Sequence, residues 1–296
     1  MIKERMNRLA DKKEKAMNKV FFAAAFMSIV SLVLIIVFIF ANGIPVMLKY
    51  GFKEFLFGKI WRPIASSPRF GLLPMILGSL YVTAGAALIG VPIGVLTAIF
   101  MAKYCSDSLY KILKPSVSLM ASIPSIVYGF FALQFLVPFV RVNFGGNGYS
   151  MLTAMLLLAI MILPTVIELS ESAIRSVPKS YYEGSVALGA SKERSMLRVV
   201  MPAASSGVLS GIVLGIGRAI GETMAVVLVA GNQPVGPNGL LQGVRTLTTN
   251  IVLEMSYAAG DHRQALIATG VVLFVFILLI NFIFIVIKNR EAAKYE

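Results

Sequence analysis

Six long apolar runs are the sequence feature that most constrains how this chain folds. The hydrocarbon core of a bilayer is about 30 Å thick, so a helix needs roughly 20 apolar residues to cross it. Only 14% of the 296 residues are charged, too few to cover soluble domains of this length. We therefore predict an all-α, polytopic membrane protein with six transmembrane helices. The runs lie at residues 20–42, 72–102, 116–140, 150–169, 205–230 and 265–288.

Basic residues set the expected orientation of these helices. The net charge of +13 is spread over both ends and the segments between apolar runs, which indicates membrane topology and no nucleic-acid partner. With a cytoplasmic N-terminus, the inner segments hold more than twice as many Lys and Arg as the outer segments. The first run is too long for a cleaved signal peptide, and no small-residue cleavage site follows it. We expect an uncleaved first helix and both termini in the cytoplasm.

The sequence offers little to catalysis. It has one cysteine, Cys105, and one histidine, His262, which exclude an internal disulfide and a Cys-rich zinc site. The phosphate-binding pattern G-x-x-x-x-G-K-[ST] does not occur in it. We expect no metal, no other cofactor and no enzymatic activity, so any ATP hydrolysis must take place on a separate chain.

The predicted outer stretch at residues 43–71 mixes five cations with large aromatic side chains, namely Phe52, Phe55, Phe57 and Trp61. One interpretation is an aromatic belt at the membrane interface, with lysines that extend toward water. The alternative is a docking or anion-attracting surface.

The cytoplasmic segment at residues 170–202 is the most patterned part between spans. Pro178 should break the preceding helix, and Ser180 with Glu183 resembles a capping box that starts a short helix at 181–188. Gly189 is suited to the left-handed end of that helix. A second helical piece at 192–200 should follow, so we predict a helix-turn-helix under the membrane.

This segment resembles the coupling loop of ABC importer permeases, whose signature is E-A-A, three residues, G, nine residues, I-x-L-P. Here Glu183, Gly189 and Pro202 match it in spacing, while Gly184 and Ser185 replace the two alanines. In that family the loop docks into a groove on the ATP-hydrolysing subunit. The resemblance implies that these five residues couple the chain to a separate ATPase.

One face of the fifth run carries small residues in its first part and charged residues in its second part. At 100° per residue, Gly207, Gly211, Gly215, Arg218 and Glu222 fall within an arc of about 80°. Small residues at this spacing let another helix approach closely, so the arginine should face protein or a cavity. Two interpretations stay open. In the first, Arg218 and Glu222 form a static ion pair. In the second, Arg218 binds the transported anion, and Glu222 pairs with Arg218 until the substrate displaces it.

Residues 217–226 resemble the fifth-span signature of phosphate importer permeases. Residues 122–129, 163–165 and 170–171 are similar to that family too, and the resemblance covers most of the chain from about Leu72 onward, with the C-type subunit the better match. It implies a multi-pass protein of the bacterial inner membrane. The implied partners are a sister permease in a heterodimer, two ATP-binding subunits, an extracytoplasmic phosphate-binding protein and phosphate itself.

The same resemblance gives Arg218 and Glu222 a role in phosphate translocation. Other hydroxyl groups are further candidates for the pathway, although such groups are often satisfied by their own backbone. Glu168 and Glu171, at the cytoplasmic end of the fourth span, are expected to face water. The additional pathway candidates are Thr223, Ser122, Ser125 and Tyr128.

Two alternatives to phosphate import stay open. The first keeps the architecture and carries molybdate, sulfate or another oxyanion. The second is an ion-coupled secondary transporter with Glu222 as proton carrier. The expected organisation is a basic cytoplasmic N-terminus at 1–19, the first helix at 20–42, an external loop at 43–71, a permease core at 72–288 and a cytoplasmic tail at 289–296.

Overall fold

The computed structural model describes the backbone of residues 2–292 and the side chains of Glu14 and of residues 17–287. The basic side chains of the predicted N-terminus up to residue 16, and the side chains of the predicted cytoplasmic tail, lie outside the described part.

Almost all of the regular structure is helical. The helices of the first half are α1 (Ile2–Lys49), α2 (Phe52–Phe57), α3 (Leu73–Ile99), α4 (Asp107–Ser122), α5 (Ser125–Phe131) and α6 (Val137–Phe144). Those of the second half are α7 (Met151–Ser176), α8 (Lys179–Ala187), α9 (Lys192–Ser195), α10 (Met201–Ala203), α11 (Ser205–Gly221), α12 (Met224–Val229), α13 (Leu247–Glu254) and α14 (Gly260–Ala292). Short π-helical turns at Phe100–Tyr104, Ala132–Leu136 and Met196–Val200 follow α3, α5 and α9, and two strands, β1 (Trp61–Arg62) and β2 (Arg69–Phe70), form a hairpin.

The all-α, multi-span architecture is confirmed. In the described part of the chain, five helices are long and apolar enough to cross a membrane. A bent pair, Lys192–Ala203 and Ser205–Gly221, whose axes differ by 72°, gives a sixth crossing when it is counted as one span. Helix α11 alone measures about 26 Å, because its 17 residues rise 1.5 Å each. It therefore needs α12 beyond it to complete the crossing.

The third predicted span, at 116–140, begins too early. Helix α4 ends at Ser122, and the continuous span runs from Ser125 to Phe144. Ile123 and Pro124 between them are extended, because the proline ring disfavours helical backbone in the residue before it. The sequence run therefore joins two separate helices.

The predicted external loop is folded. Helix α1 continues past its predicted end to Lys49 and packs against α14, and α2 and the β1–β2 hairpin follow. Phe55, Trp61 and Phe70 are buried against α13 and α14, whereas Phe52 and Phe57 are exposed. The aromatic-belt interpretation is therefore wrong for Phe55 and Trp61, which belong to a hydrophobic core on the predicted outer side.

Helix α7 is the central element, with α3 and α11 packed along it. The glycine stripe of α11 lies against it as predicted: a β-carbon on Gly207, Gly211 or Gly215 would come within 3 Å of a side chain of α7. The contacts run from Ala173 at Gly207 to Val166 at Gly215, so α11 is antiparallel to α7.

Candidate substrate pathway and coupling site

Arg218 lies near the middle of the membrane-spanning region. Three residues before it, Gly215 packs on Val166 and Ile162 of α7, so the arginine is level with the centre of that 26-residue helix. The side chain is half-buried. Among the described side chains, Arg218 forms no ion pair and donates no hydrogen bond. A central arginine costs about 3 kcal/mol on insertion scales, and no described residue forms an ion pair that would offset this cost for Arg218.

Glu222 is not that partner: in the structure it neither forms the static ion pair of the first interpretation nor occupies Arg218 as the second one expects. Helix α11 ends at Gly221, and Glu222 is extended, so the two side chains are not neighbours on one helical face. One carboxylate oxygen of Glu222 instead accepts the backbone N–H groups of Thr223 and Ala225, each at 3.1 Å. This carboxylate caps the first turn of α12 and leaves Arg218 uncompensated.

The break between α11 and α12 is open on one side. The hydroxyl of Thr223 donates to the carbonyl of Gly221, at 3.1 Å, within the break itself. A β-carbon added to Gly217 or Gly221 would meet nothing within 4 Å in the described residues. The arginine therefore has free space on both sides along α11.

A second break, between α4 and α5, carries the other pathway candidates. Tyr128 is buried and donates its hydroxyl to the carbonyl of Met120 across the break, at 2.9 Å. Ser122 donates to the carbonyl of Ser118 in its own helix, at 3.0 Å. The first turn of α5 holds Ser125, which is half-buried. Tyr128 and Ser122 therefore use their hydroxyl groups within the fold.

The two breaks lie against each other. A β-carbon on Gly129 of α5 would come 2.8 Å from the Cα atom of Ala225 in α12, so the two helices touch through their backbones. This contact brings Tyr128, next to Gly129 in α5, close to the start of α12, which Glu222 and Thr223 precede.

The predicted coupling segment is an exposed helical hairpin. Helix α8 begins at Lys179 behind Pro178, so the predicted capping box with Ser180 is wrong. Gly189 has the predicted left-handed backbone, with φ of 89°. Ser191 caps the following helix by accepting the N–H of Arg194 at 3.2 Å.

The tip of this hairpin faces away from the rest of the chain. Glu183 and Gly184 are exposed, and Leu188 is 92% exposed. Ser185 is half-buried and accepts the hydroxyl of Ser195 at 3.0 Å, which ties the two arms of the hairpin together. An open groove of about 550 Å³ runs beside α8 to Pro202. An exposed leucine at the end of a helix that also borders an open groove suits a partner protein.

One contact that sequence reasoning missed joins this hairpin to the spans. The Lys103 ammonium, in the turn after α3, lies 3.4 Å from the centre of the Tyr182 ring in α8, a cation–π contact. Sequence reasoning also missed the burial of Glu171 in α7, which was expected to face water and is only 2% exposed.

Glu171 joins three helical elements. It binds Lys114 of α4 at 2.9 Å, accepts the hydroxyl of Tyr110 at 3.0 Å and pairs with Arg175, which also donates to the carbonyl of Met101. Burial lowers the pKa of Lys114, but the hydrogen bond and charge of Glu171 outweigh it and raise that pKa above its ordinary value. The lysine therefore stays charged and holds α4 on α7.

Replacing Glu171 with glutamine is expected to lower the free energy of unfolding by about 2 kcal/mol, since it removes the buried charge that both cations share. The loss stays moderate because Lys114 and Arg175 are 34% and 45% exposed and can turn toward water. Denaturant titration of the detergent-solubilised protein measures it. Glu168→Gln, one turn away, is the control with an expected loss below about 0.5 kcal/mol; equal losses in both would contradict the network.

Known proteins share this sequence over most of its length. The family described as binding-protein-dependent transport system inner membrane component matches residues 90–291. The probable ABC transporter permease protein YqgH of Bacillus subtilis is 39% identical over 96% of this chain and 94% of its own. The phosphate transport system permease protein PstC of Mesorhizobium japonicum is 33% identical over 87% of this chain and 84% of its own. A probable PstC of Methanocaldococcus jannaschii is 31% identical over 90% and 91%.

Solved structures show the same fold. A bacterial ABC transporter involved in alginate import aligns with a TM-score of 0.63 and 15% identity, over 91% of this chain and 96% of that one. The MetNI methionine ABC transporter in an inward-facing conformation aligns with a TM-score of 0.59 and 20% identity, over 74% and 95%.

The fold and the exposed hairpin define an integral membrane transport subunit. The chain belongs to the family of inner membrane components of binding-protein-dependent transport systems, and it is the permease of an ABC importer. Such a permease works in the inner membrane with a partner ATPase and a substrate-binding protein. Family membership excludes the ion-coupled secondary transporter.

Proposed function

We propose that this chain is a C-type permease subunit that carries inorganic phosphate across the inner membrane. The observation that carries the proposal is the uncompensated Arg218 at mid-membrane depth, beside a break with free space around it. A guanidinium presents N–H donors in a planar fork that matches two oxygens of a tetrahedral oxyanion. Phosphate in the pathway would supply the charge partner that no described residue provides.

The relatives support phosphate as the oxyanion. Two of those named above are phosphate transport permeases or probable ones, and they match this chain over most of its length. The solved structures carry other cargoes, methionine and alginate, so they support the architecture and not the substrate.

In this proposal Glu222 and Thr223 set the shape of the site, and Arg218 binds the anion. Capping α12 keeps the Glu222 carboxylate away from the guanidinium, because its oxygen already accepts two backbone N–H groups. Ser125 adds a hydroxyl in the first turn of α5. Pro124, which precedes this turn, has no side-chain acceptor to cap the helix. The donors that the proposal offers to a phosphate anion are thus the Arg218 guanidinium and the Ser125 hydroxyl.

The proposed complex is a heterodimer with a sister permease, two ATP-binding subunits and an extracytoplasmic phosphate-binding protein. Glu183, Gly184, Ser185, Gly189 and Pro202 form the surface on which the ATPase docks. A rigid hairpin tied to α3 through Lys103 and Tyr182 would pass closure of the ATPase to the spans.

Uptake by the complex in proteoliposomes tests the substrate. Vesicles with ATP inside and the binding protein outside are expected to accumulate labelled phosphate and to hydrolyse ATP faster when phosphate is present. Molybdate and sulfate, each at the same concentration, are the comparison anions. Equal or faster uptake of either one than of phosphate would replace the proposed substrate.

A further inference from the structure

The β1–β2 hairpin presents two like charges to the predicted outer side. Its register pairs Trp61 with Phe70, which are buried, and Arg62 with Arg69, which are exposed. Like charges directly opposite each other destabilise a strand pair, so the stability of the hairpin does not explain this arrangement. Two adjacent arginines on an exposed face suit an acidic surface on a partner.

This hairpin is anchored to the far end of α13. Trp61 donates its indole N–H to the carboxylate of Glu254, the last residue of α13, at 2.9 Å. The same carboxylate pairs with Arg245 and lies 2.8 Å from His262 at the start of α14. All these groups are buried or nearly so, which makes the joint rigid.

The near end of α13 is tied to the break in the fifth span. Thr246 and Thr249 cap the helix reciprocally, so its first turn is fixed. Thr248 is buried at 6% exposure, and its hydroxyl donates to the backbone carbonyl of Glu222 at 2.9 Å. The N–H of Leu247 is held by Ser79 of α3, at 2.9 Å. Helix α13, about 12 Å long, therefore joins the hairpin to the residue that ends α11.

We propose that the hairpin and α13 form a relay through which the docked binding protein controls the break beside Arg218, with Thr248 as its positioning residue. Arg62 and Arg69 receive an acidic surface of the binding protein. The hydrogen bond from Thr248 to the carbonyl of Glu222 keeps Glu222 from joining α11. Docking of the binding protein shifts α13 and so weakens or strengthens this hydrogen bond.

The relay gives the break two states. In the structure, Glu222 is extended, and its carboxylate caps α12, so Arg218 is free for an anion. If the hold is released, α11 lengthens by one turn, and Glu222 comes beside Arg218 as its i+4 neighbour. The carboxylate then replaces the anion on the guanidinium. The identity of the anion in this inference rests on the proposed function, whereas the relay does not depend on which anion is carried.

The test uses the complete complex in proteoliposomes, with ATP hydrolysis measured against the concentration of binding protein loaded with inorganic phosphate. Thr248→Val keeps the shape and removes the hydroxyl. The variant loses the hydroxyl's hydrogen bonds to Glu222 and, inside the helix cap, to Thr246. The lost hold on Glu222 is expected to lower the maximal stimulated rate about fivefold, with the basal rate unchanged. Thr248→Ser, which keeps the hydroxyl, is expected to restore the stimulated rate. Trp61→Phe removes the indole N–H that binds Glu254 at the other end of α13, and it should lower the maximal stimulated rate by the same factor. The double variant Trp61→Phe with Thr248→Val should show no further loss of that rate.

The outer end gives a different signature. Arg62→Ser with Arg69→Ser is expected to raise the half-maximal concentration of binding protein about tenfold and to leave the maximal rate unchanged. An unaltered maximal rate in Thr248→Val, or losses in the two α13 variants that simply add, would overturn the relay. A failure of phosphate-loaded binding protein to stimulate the unmodified complex would instead overturn the proposed function.

Discussion

Replacing Arg218 with glutamine is expected to reduce phosphate uptake at least a hundredfold. The guanidinium is uncompensated within the described chain, so the substituted complex loses the charge that attracts and orients the anion. Two charge-assisted hydrogen bonds contribute about 3 kcal/mol, which corresponds to about a hundredfold. Uptake of labelled phosphate into proteoliposomes measures the effect.

The same replacement should leave assembly intact. Glutamine removes a half-buried charge that has no ion-pair partner among the described residues, and it fits the open space around Gly217 and Gly221. Copurification with the sister permease and the ATPase subunits is expected at the level of the unmodified protein. Arg245→Gln is the contrasting control, because Arg245 pairs with buried Glu254 and its loss should lower stability. Uptake that persists in Arg218→Gln would show that this arginine is not the anion contact.

Replacing Glu183 with alanine is expected to lower uptake tenfold or more while the permease keeps its stability. The side chain is exposed at the tip of the hairpin, and no other described residue forms a hydrogen bond or ion pair with it. Its loss should therefore cost less than about 0.5 kcal/mol in folding. Removal of a charged contact to the ATPase costs about 1.5 to 3 kcal/mol, which is at least tenfold.

Gly184→Ala, one residue further along, is the matched control. Gly184 lies inside α8 with open space around its Cα atom, so alanine fits and favours the helix by about 1 kcal/mol. This variant is expected to retain uptake, because alanine is the residue that the coupling-loop signature has at this position of the docking surface. ATP hydrolysis and uptake measured together separate uncoupling from loss of the complex. Unchanged uptake in Glu183→Ala would remove the coupling assignment.

The sequence predicts the membrane architecture well, because a bilayer imposes length and apolarity on each span. The glycine stripe of α11 was predictable for a similar reason, since small residues at four-residue spacing have one packing consequence. The hairpin with Gly189 was predictable from local backbone preferences. These features depend on residues close together in the sequence.

The breaks and the buried charge network depend on distant residues. No proline beside Glu222 marks the break after α11. A hydropathy profile also does not show that Thr248, 26 residues away, donates a hydrogen bond to the backbone carbonyl of Glu222. Pro124 was visible as a possible break, but the apolar run continues across it. Glu171 is buried because Lys114 and Tyr110 of another helix reach it, which only the packing of α4 on α7 reveals.

The most direct test of the central claim measures whether water and phosphate reach position 218. Arg218→Cys is placed in a Cys105→Ser background, so that the new thiol is the only one in the chain. The assembled complex is then treated with a cationic aminoethyl thiosulfonate reagent or a neutral methyl one. We predict that both react, that phosphate slows the reaction, and that the cationic adduct alone restores part of the uptake. A thiol that stays unreactive in every nucleotide state would place this position against lipid or packed protein and contradict the account.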